Sequence, residues 1–256
     1  MKRFIMWSGG KDSTASIILC HEKGIQVDGV VMSEVMFDHT RNISGENPKH
    51  IKWVYETAIP TIEQRLGYKV YVLRDKSDYM QEFHAMVSKS LKHPERNGKK
   101  RGWFIGGMCI GNDRLKMRPL RNFIAAQGKD IEQIVGIAAD EPKRLQRLKK
   151  GKRSVLAEYG IVEQDTYEIC EKYGLLSPTY ADKTRGGCWF CPNQGAREFA
   201  TLKREYPELW EELRTMAGTP NLVSNGFRYG KTFWEVEREV NAINGQISIW
   251  DYLAQG

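Results

Sequence analysis

The chain has no long apolar run: no stretch approaches the ~20 residues needed to cross a bilayer. Its start, Met1-Lys2-Arg3, is followed by an apolar run too short for a signal peptide, so the expected location is the cytoplasm, with no membrane partner. Cysteine is scarce and odd in number. Five cysteines in a chain without an export signal argue against a disulfide framework and for thiols or metal ligands, and none follows Cys191. The histidines are scattered, none at ligand spacing to a cysteine, so His21, His39, His50, His84 and His93 receive no metal role. Acidic residues are outnumbered, 32 against 39 basic, and the resulting charge of +7 favours polyanionic partners. There is no internal repeat and no low-complexity tract. What remains, 256 residues of which 41% are hydrophobic, suffices for a full core without disulfides.

Against that background Ser8-Gly9-Gly10-Lys11-Asp12-Ser13-Thr14 stands out. It follows the apolar run Phe4-Ile5-Met6-Trp7 and precedes the helical pattern Ala15, Ile18, Leu19. A strand feeding a helix through such a turn builds an anion cradle: glycines let the backbone approach closely, and the unpaired N–H groups of the first helical turn point at the ligand. Lys11 adds positive charge, and Ser8, Ser13 and Thr14 add hydroxyls. The adjacent glycines exclude the Walker loop, which needs four residues between its first Gly and its Gly-Lys pair. Asp12 either orients Lys11, helps hold Mg, or serves as an acidic group favoured at a helix start.

Further along, Val27 to Met32 reads as a second buried strand. A helix with the stripe Ile51, Val54, Ala58, Ile59, Ile62 and Leu66 follows, with Pro60 expected to kink it. Val70 to Leu73 and Ile131 to Ala138 supply further strands, so an open parallel sheet with helices on both faces is expected over residues 1–145. Ser33 and Gly136 would then lie at the carboxyl edge, where such sheets meet ligands. Lys89 to Gly102 reads as an exposed basic loop, either a solvated segment or a contact for a polyanion. From Pro142 the chain turns basic, with Lys143, Arg144, Arg147, Lys149, Lys150, Lys152 and Arg153. Amphipathic stripes at Phe199, Leu202, Leu209, Trp210 and Leu213, and at Val236, Val240 and Ile243, make residues 146–256 a mostly helical subdomain.

A second constellation is Gly186-Gly187-Cys188-Trp189-Phe190-Cys191-Pro192, a Cys-x-x-Cys turn that aims two sulfurs at one metal. Cys109, in Gly106-Gly107-Met108-Cys109-Ile110-Gly111, and Cys170 are the candidates to complete a four-thiolate site for Zn or an iron–sulfur cluster. Cys170 sits in a helical pattern where a buried structural role is the alternative, and Cys20 reads as core. A metal-free redox pair is the alternative for Cys188 and Cys191.

SGGKDST resembles the signature of the PP-loop, or adenine nucleotide alpha hydrolase-like, superfamily. Gly45 to His50, Cys109 with Arg114, Lys116 and Pro119, Gly136 to Glu141 with Arg144, and Gly187-Cys188-x-x-Cys191-Pro192 follow the order seen in phosphoadenosine phosphosulfate reductase-like proteins, over residues 3–195. The resemblance implies a Rossmann-like PP-loop fold and an adenine nucleotide with Mg held by Ser8 to Thr14, Ser33 and Gly136. It further implies Lys11 and Asp12 in catalysis and pyrophosphate release as a substrate is adenylylated. Sulfur transfer would be coupled to that step, with DNA or tRNA as acceptor and a sulfur-donor protein as partner. Three thiolates, Cys109, Cys188 and Cys191, would leave an iron of a 4Fe-4S cluster open, whereas a fourth from Cys170 would close the site. The C-terminal cysteine of the sulfonucleotide reductases is missing, as is the adjacent Cys-Cys pair of their adenosine phosphosulfate branch. A reductase with another thiol supply and an ATP-sensing nucleic-acid-binding module are the alternative readings.

Overall fold

The computed structural model describes residues 1–105, 109–180 and 187–253, with side chains up to residue 245. Strand β1 (Lys2–Trp7) leads into helix α1 (Lys11–Glu22), and β2 (Gly29–Glu34), β3 (Val70–Arg74), β4 (Ile131–Val135), which follows helix α5 (Arg118–Ala126), and the two-residue β5 (Lys152–Arg153) complete one sheet. The sheet order is β3-β2-β1-β4-β5, and all its pairings are parallel. The register sets Trp7 beside Met32 and Met6 beside Val135. The chain winds outward from β1 to β3 and then returns beside β1 with β4. The order therefore reverses between β1 and β4, and the carboxyl ends of those two strands open the crevice in which such folds take ligands.

Burial follows from composition. In β2 every residue is buried, as a central parallel strand covered on both faces requires. The apolar run of α1, Ile17, Ile18, Leu19 and Cys20, joins Ile5, Val30, Ile134, Val155, Leu156, Cys170 and Leu175 in one largely aliphatic core. The stripe read from His50 onward is present, with a difference at its proline. Helices α2 (Pro48–Trp53) and α3 (Ile59–Arg65) are joined by a π turn over Val54–Ala58, and Pro60 sits in the first turn of α3, where its missing N–H costs no helical bond. A widened turn thus stands immediately before the proline.

A second, aromatic core gathers Phe37 and helix α4 (Tyr79–His84), the segment at Trp103 and Phe104, and the C-terminal helices α7 (Ala196–Glu205), α8 (Pro207–Ala217) and α9 (Phe233–Leu253). Tyr206 alone separates α7 from α8, which opens on Pro207. The two cores draw on both halves of the chain: α6 (Asp165–Lys172) packs with the sheet through Cys170, and Phe37 packs with Trp189 of the C-terminal half. The basic segment 89–102 is pinned rather than free, with Lys100 N donating to Asn221 O (2.8 Å) and Val223 N to Lys100 O (2.8 Å). Among the described residues no helix is long and apolar enough to cross a membrane.

Candidate functional site

The turn after β1 is shaped by two close approaches that only glycine permits. Gly9 has φ of +73°, and a Cβ there would stand 2.4 Å from the His50 imidazole. A Cβ on Gly136, just past β4, would stand 2.4 Å from the backbone nitrogen of Ser13. The end of β4 is thereby pressed against the first turn of α1, which supports the expectation that Gly136 belongs to the crevice. Within the turn, Ser13 Oγ donates to Gly10 O (2.9 Å) and accepts from Ser8 N (3.3 Å), while Gly10 N donates to Ser8 Oγ (3.4 Å). Thr14 faces inward, its Oγ1 accepting from Trp7 Nε1 (2.9 Å), so it braces strand to helix rather than lining the crevice.

Beneath the turn lies a buried polar chain that sequence reading did not find. His50 Nε2 donates to Ser8 O (3.2 Å), its Nδ1 accepts from Ser177 Oγ (2.9 Å), and Ser177 in turn meets Thr179 Oγ1 (3.0 Å). Burial is the main influence on the imidazole and pulls its pKa below the ordinary 6.5, against the raising effect of Ser8 O and Glu46. It is the neutral ring that supports the loop. Tyr180 adds a further brace, its hydroxyl accepting from Lys11 N (2.9 Å).

Lys11 is engaged differently from expectation. Its side chain is only 4% exposed, and its Nζ pairs with Asp12 Oδ1 (2.6 Å) and Glu163 Oε1 (3.0 Å) and lies over the Tyr167 ring (5.0 Å). Burial lowers its pKa, but the bonds from Asp12 and Glu163 outweigh that and leave it raised. Asp12 also accepts from Thr166 Oγ1 (3.1 Å), so both residues assigned to catalysis tie α1 to α6. The positive charge at the crevice comes instead from the basic segment after β4: a cavity of about 430 Å3 is lined by Ser8, Ser13, Gly136, Arg144, Arg147, Lys149 and Lys152. The clue was present in the density of basic residues after Pro142, but the short β5 that folds this segment back beside β4 has no signature in a stretch so rich in charge. At the same sheet edge Ser33 on β2 is buried, and its Oγ has no hydrogen-bond partner among the described residues.

The cysteines separate into two places. Cys170 faces α1, its Sγ donating to Lys11 O (3.3 Å), and burial pushes its thiol up to about 12. The four-cysteine set expected from the sequence is therefore not assembled; Cys170 is a core residue of the sheet side. Cys109, Cys188 and Cys191 share another neighbourhood, where the Cys188 thiol feels the other two and the phenol of Tyr79 feels all three. Burial, then Glu46, raises the Cys188 thiol well above its ordinary range, with Lys116 opposing. Among the described residues no three His, Cys, Asp or Glu side chains are spaced to hold an ion. Thiols are the donors a soft metal takes, and all three act on the buried phenol of Tyr79, whose hydroxyl has no partner among the described residues. Gly186 and Gly106-Gly107-Met108, read as softened turns, lie outside the described residues.

One short segment joins the two places. Gly45 O accepts from Trp189 N (3.0 Å) and Asn47 N donates to Gly187 O (3.0 Å), while three residues on His50 holds Ser8. A Cβ at Gly45 would meet the Phe190 ring at 2.7 Å, and Asn47 caps α2 by accepting from His50 N (3.2 Å).

A parallel sheet with an anion-ready crevice at its switch point is thus the class of site this chain builds. No protein-family model matches the chain. A curated relative is an uncharacterised protein of Methanocaldococcus jannaschii, 26% identical over 253 residues. The match covers 92% of this chain and 46% of the archaeal protein, so the chain spans about half the length of that relative. Among solved structures, the U34-tRNA thiolase NcsA from Methanococcus maripaludis with its 4Fe-4S cluster is similar over 84% of this chain and 70% of that one, with a TM-score of 0.41 and 15% identity. A likeness at that level carries no argument about activity.

Proposed function

We propose that the chain is a PP-loop enzyme that binds ATP, or a related adenine nucleotide with Mg, at the β1–β4 crevice and releases pyrophosphate while adenylylating a substrate, coupled to sulfur transfer. The observation that carries this reading is the crevice itself. Gly9 lets the His50 ring, and Gly136 the first turn of α1, pack directly against the loop, two serine hydroxyls line the space beside it, and Arg144, Arg147, Lys149 and Lys152 surround that space. Pre-aligned donors of this kind stabilise charge as it develops on a departing pyrophosphate, because they need no reorganisation during the reaction. Ser33 Oγ, buried at the same edge and unpaired among the described residues, would supply a hydrogen bond to a nucleotide. In this reading Lys11 and Asp12 position the loop from behind rather than touching phosphate.

Cys109, Cys188 and Cys191 would hold the metal centre. Three thiolates leave either a zinc or one iron of a 4Fe-4S cluster with an open position for sulfur. Glu46 and Lys116 flank Cys188 and would set the charge around it.

Calorimetric titration with ATP tests the nucleotide half: the wild-type chain should bind, and Gly136→Val should not while remaining folded by circular dichroism. Unchanged affinity in that variant would remove the reading. Anaerobic purification with metal and sulfide analysis tests the other half, since a colourless protein with one zinc excludes the cluster. Sulfite release from phosphoadenosine phosphosulfate with a thiol donor, without pyrophosphate release from ATP, would replace adenylylation by reduction.

A further inference from the structure

A larger cavity, of about 670 Å3, lies away from the crevice, between the segment 89–102 and the hairpin formed by Gly226–Arg228 and Lys231–Thr232. Trp103 and Phe104 line it, and Arg96, Arg101, Arg228 and Lys231 surround it. Tyr229, also in the lining, is 91% exposed. Arg101 is partnered by Glu82, Arg96 by Glu95 and Lys231 by Glu239, whereas Arg228 makes no ion pair with another described residue. Glu235, the carboxylate in the lining, is committed to the hairpin, accepting from the N and Oγ1 of Thr232 (2.7 Å each).

An exposed ring beside cations over an aromatic lining matches a chain of bases on a phosphate backbone. Bases stack on the ring whatever their identity, and the cations follow the phosphates. A small free anion would leave Tyr229 unused, and an acidic protein surface would gain little from Trp103 and Phe104. The cavity also runs toward the thiols. Ile105 and Ile110 line it, and the Phe104 ring and Cys109 Sγ lie 3.5 and 3.6 Å from the point where a Cβ on Gly111 would stand. Cys109 is exposed.

We propose that this cavity is a binding cleft for single-stranded nucleic acid, with a base stacked on Tyr229 and a phosphate paired with Arg228, and that it lays the strand alongside Cys109. The fate of that strand rests on the sulfur-transfer reading above; its binding does not. Fluorescence anisotropy of the full chain with labelled single-stranded DNA and RNA of one sequence, at low salt and without ATP, tests it. At least one of the two should bind. Tyr229→Ala should weaken binding roughly ten-fold and Tyr229→Phe should restore it. Arg228→Ala should weaken binding and reduce the slope of log affinity against log salt by roughly one. Both alanine variants should bind ATP as the wild type does, which separates failure of the cleft from failure of the crevice. No binding to either oligonucleotide, or binding indifferent to both alanine substitutions, overturns the proposal. Displacement by polyglutamate as effective as by unlabelled oligonucleotide does so too, since it marks a charge surface without base recognition.

Discussion

At the crevice, the turn from Ser8 to Thr14 is held from below by His50, Ser177 and Tyr180 and from behind by Asp12 and Glu163, and its serines bond within the turn. Around Cys188 the protein has done the apolar work, stacking Tyr79 on Phe190 at 3.8 Å and tilting Phe37 against Trp189 at 4.5 Å, yet among the described residues the buried Tyr79 hydroxyl has no partner. The loop of the first site is braced on two sides, and its unsatisfied group, Ser33 Oγ, stands on a strand at the sheet edge; the second is a packed aromatic wall around a phenol still to be satisfied. Their cores differ accordingly, aliphatic under the sheet and aromatic behind the cysteines. A backbone cradle needs stiff, close-packed strands, whereas soft ligands brought from distant segments need large rings to bridge them.

The largest effect that would sharpen this contrast is loss of the aromatic wall. Trp210 is fully buried, and its Nε1 donates to Glu237 Oε1 (2.9 Å). Trp210→Ala should cost about 3–5 kcal/mol in chemical denaturation, the range for deleting a large core ring. If the cores are energetically distinct, ATP affinity measured under folding conditions should stay near wild type. Loss of affinity in the folded protein would show that the crevice depends on the second core.

Gly136→Ala tests the other side. Its Cβ would meet backbone, which cannot rotate away, so a cost of about 1–3 kcal/mol is expected, as for overpacking elsewhere. Nucleotide binding should fall with it, because Ser13 and the first turn of α1 must shift. Wild-type affinity would mean that the strand end moves aside and that the crevice is less rigid than its hydrogen bonds imply.

A smaller effect should appear with pH. The His50 pKa is lowered by burial, so the folded state disfavours the protonated ring that the unfolded chain accepts near 6.5. The stability owed to the neutral ring is present above that value and is lost as pH falls toward the folded pKa. Melting temperature should therefore decline below 6.5, and His50→Gln should flatten that decline. An equal slope in the variant would assign the acid sensitivity to other groups.

How far the sequence could be read follows from where each interaction lies along the chain. The crevice was legible because Ser8 to Thr14 is contiguous and a strand, a glycine turn and a helix have distinct periodicities. Ser33 and Gly136 could be placed because parallel strands present their carboxyl ends on one edge. The engagement of Lys11 was not legible, since Glu163 arrives from a segment with no pattern linking it to residue 11, and a lysine in a glycine turn reads the same whether it faces phosphate or carboxylate. Cys170 was ambiguous for a similar reason: a cysteine on a helix shows neither its face nor its neighbours. The link from Gly45 to His50 between the two places exists only in three dimensions.

The smallest and most discriminating change is Tyr79→Phe. Removing a buried hydroxyl that has no partner among the described residues should leave stability unchanged or raise it by up to about 1 kcal/mol, a gain of roughly 2–4 °C in melting temperature for a chain of this size. That holds for metal-free protein. If Cys109, Cys188 and Cys191 do gather a metal, the phenol gains a sulfur to donate to, and the same substitution should then lower the melting temperature of the loaded protein relative to wild type. A reversal of sign between the two forms would tie Tyr79 to the thiol centre. A loss of stability in both would mean that the hydroxyl already has a partner without metal, and the contrast between a braced loop and an unsatisfied phenol would vanish.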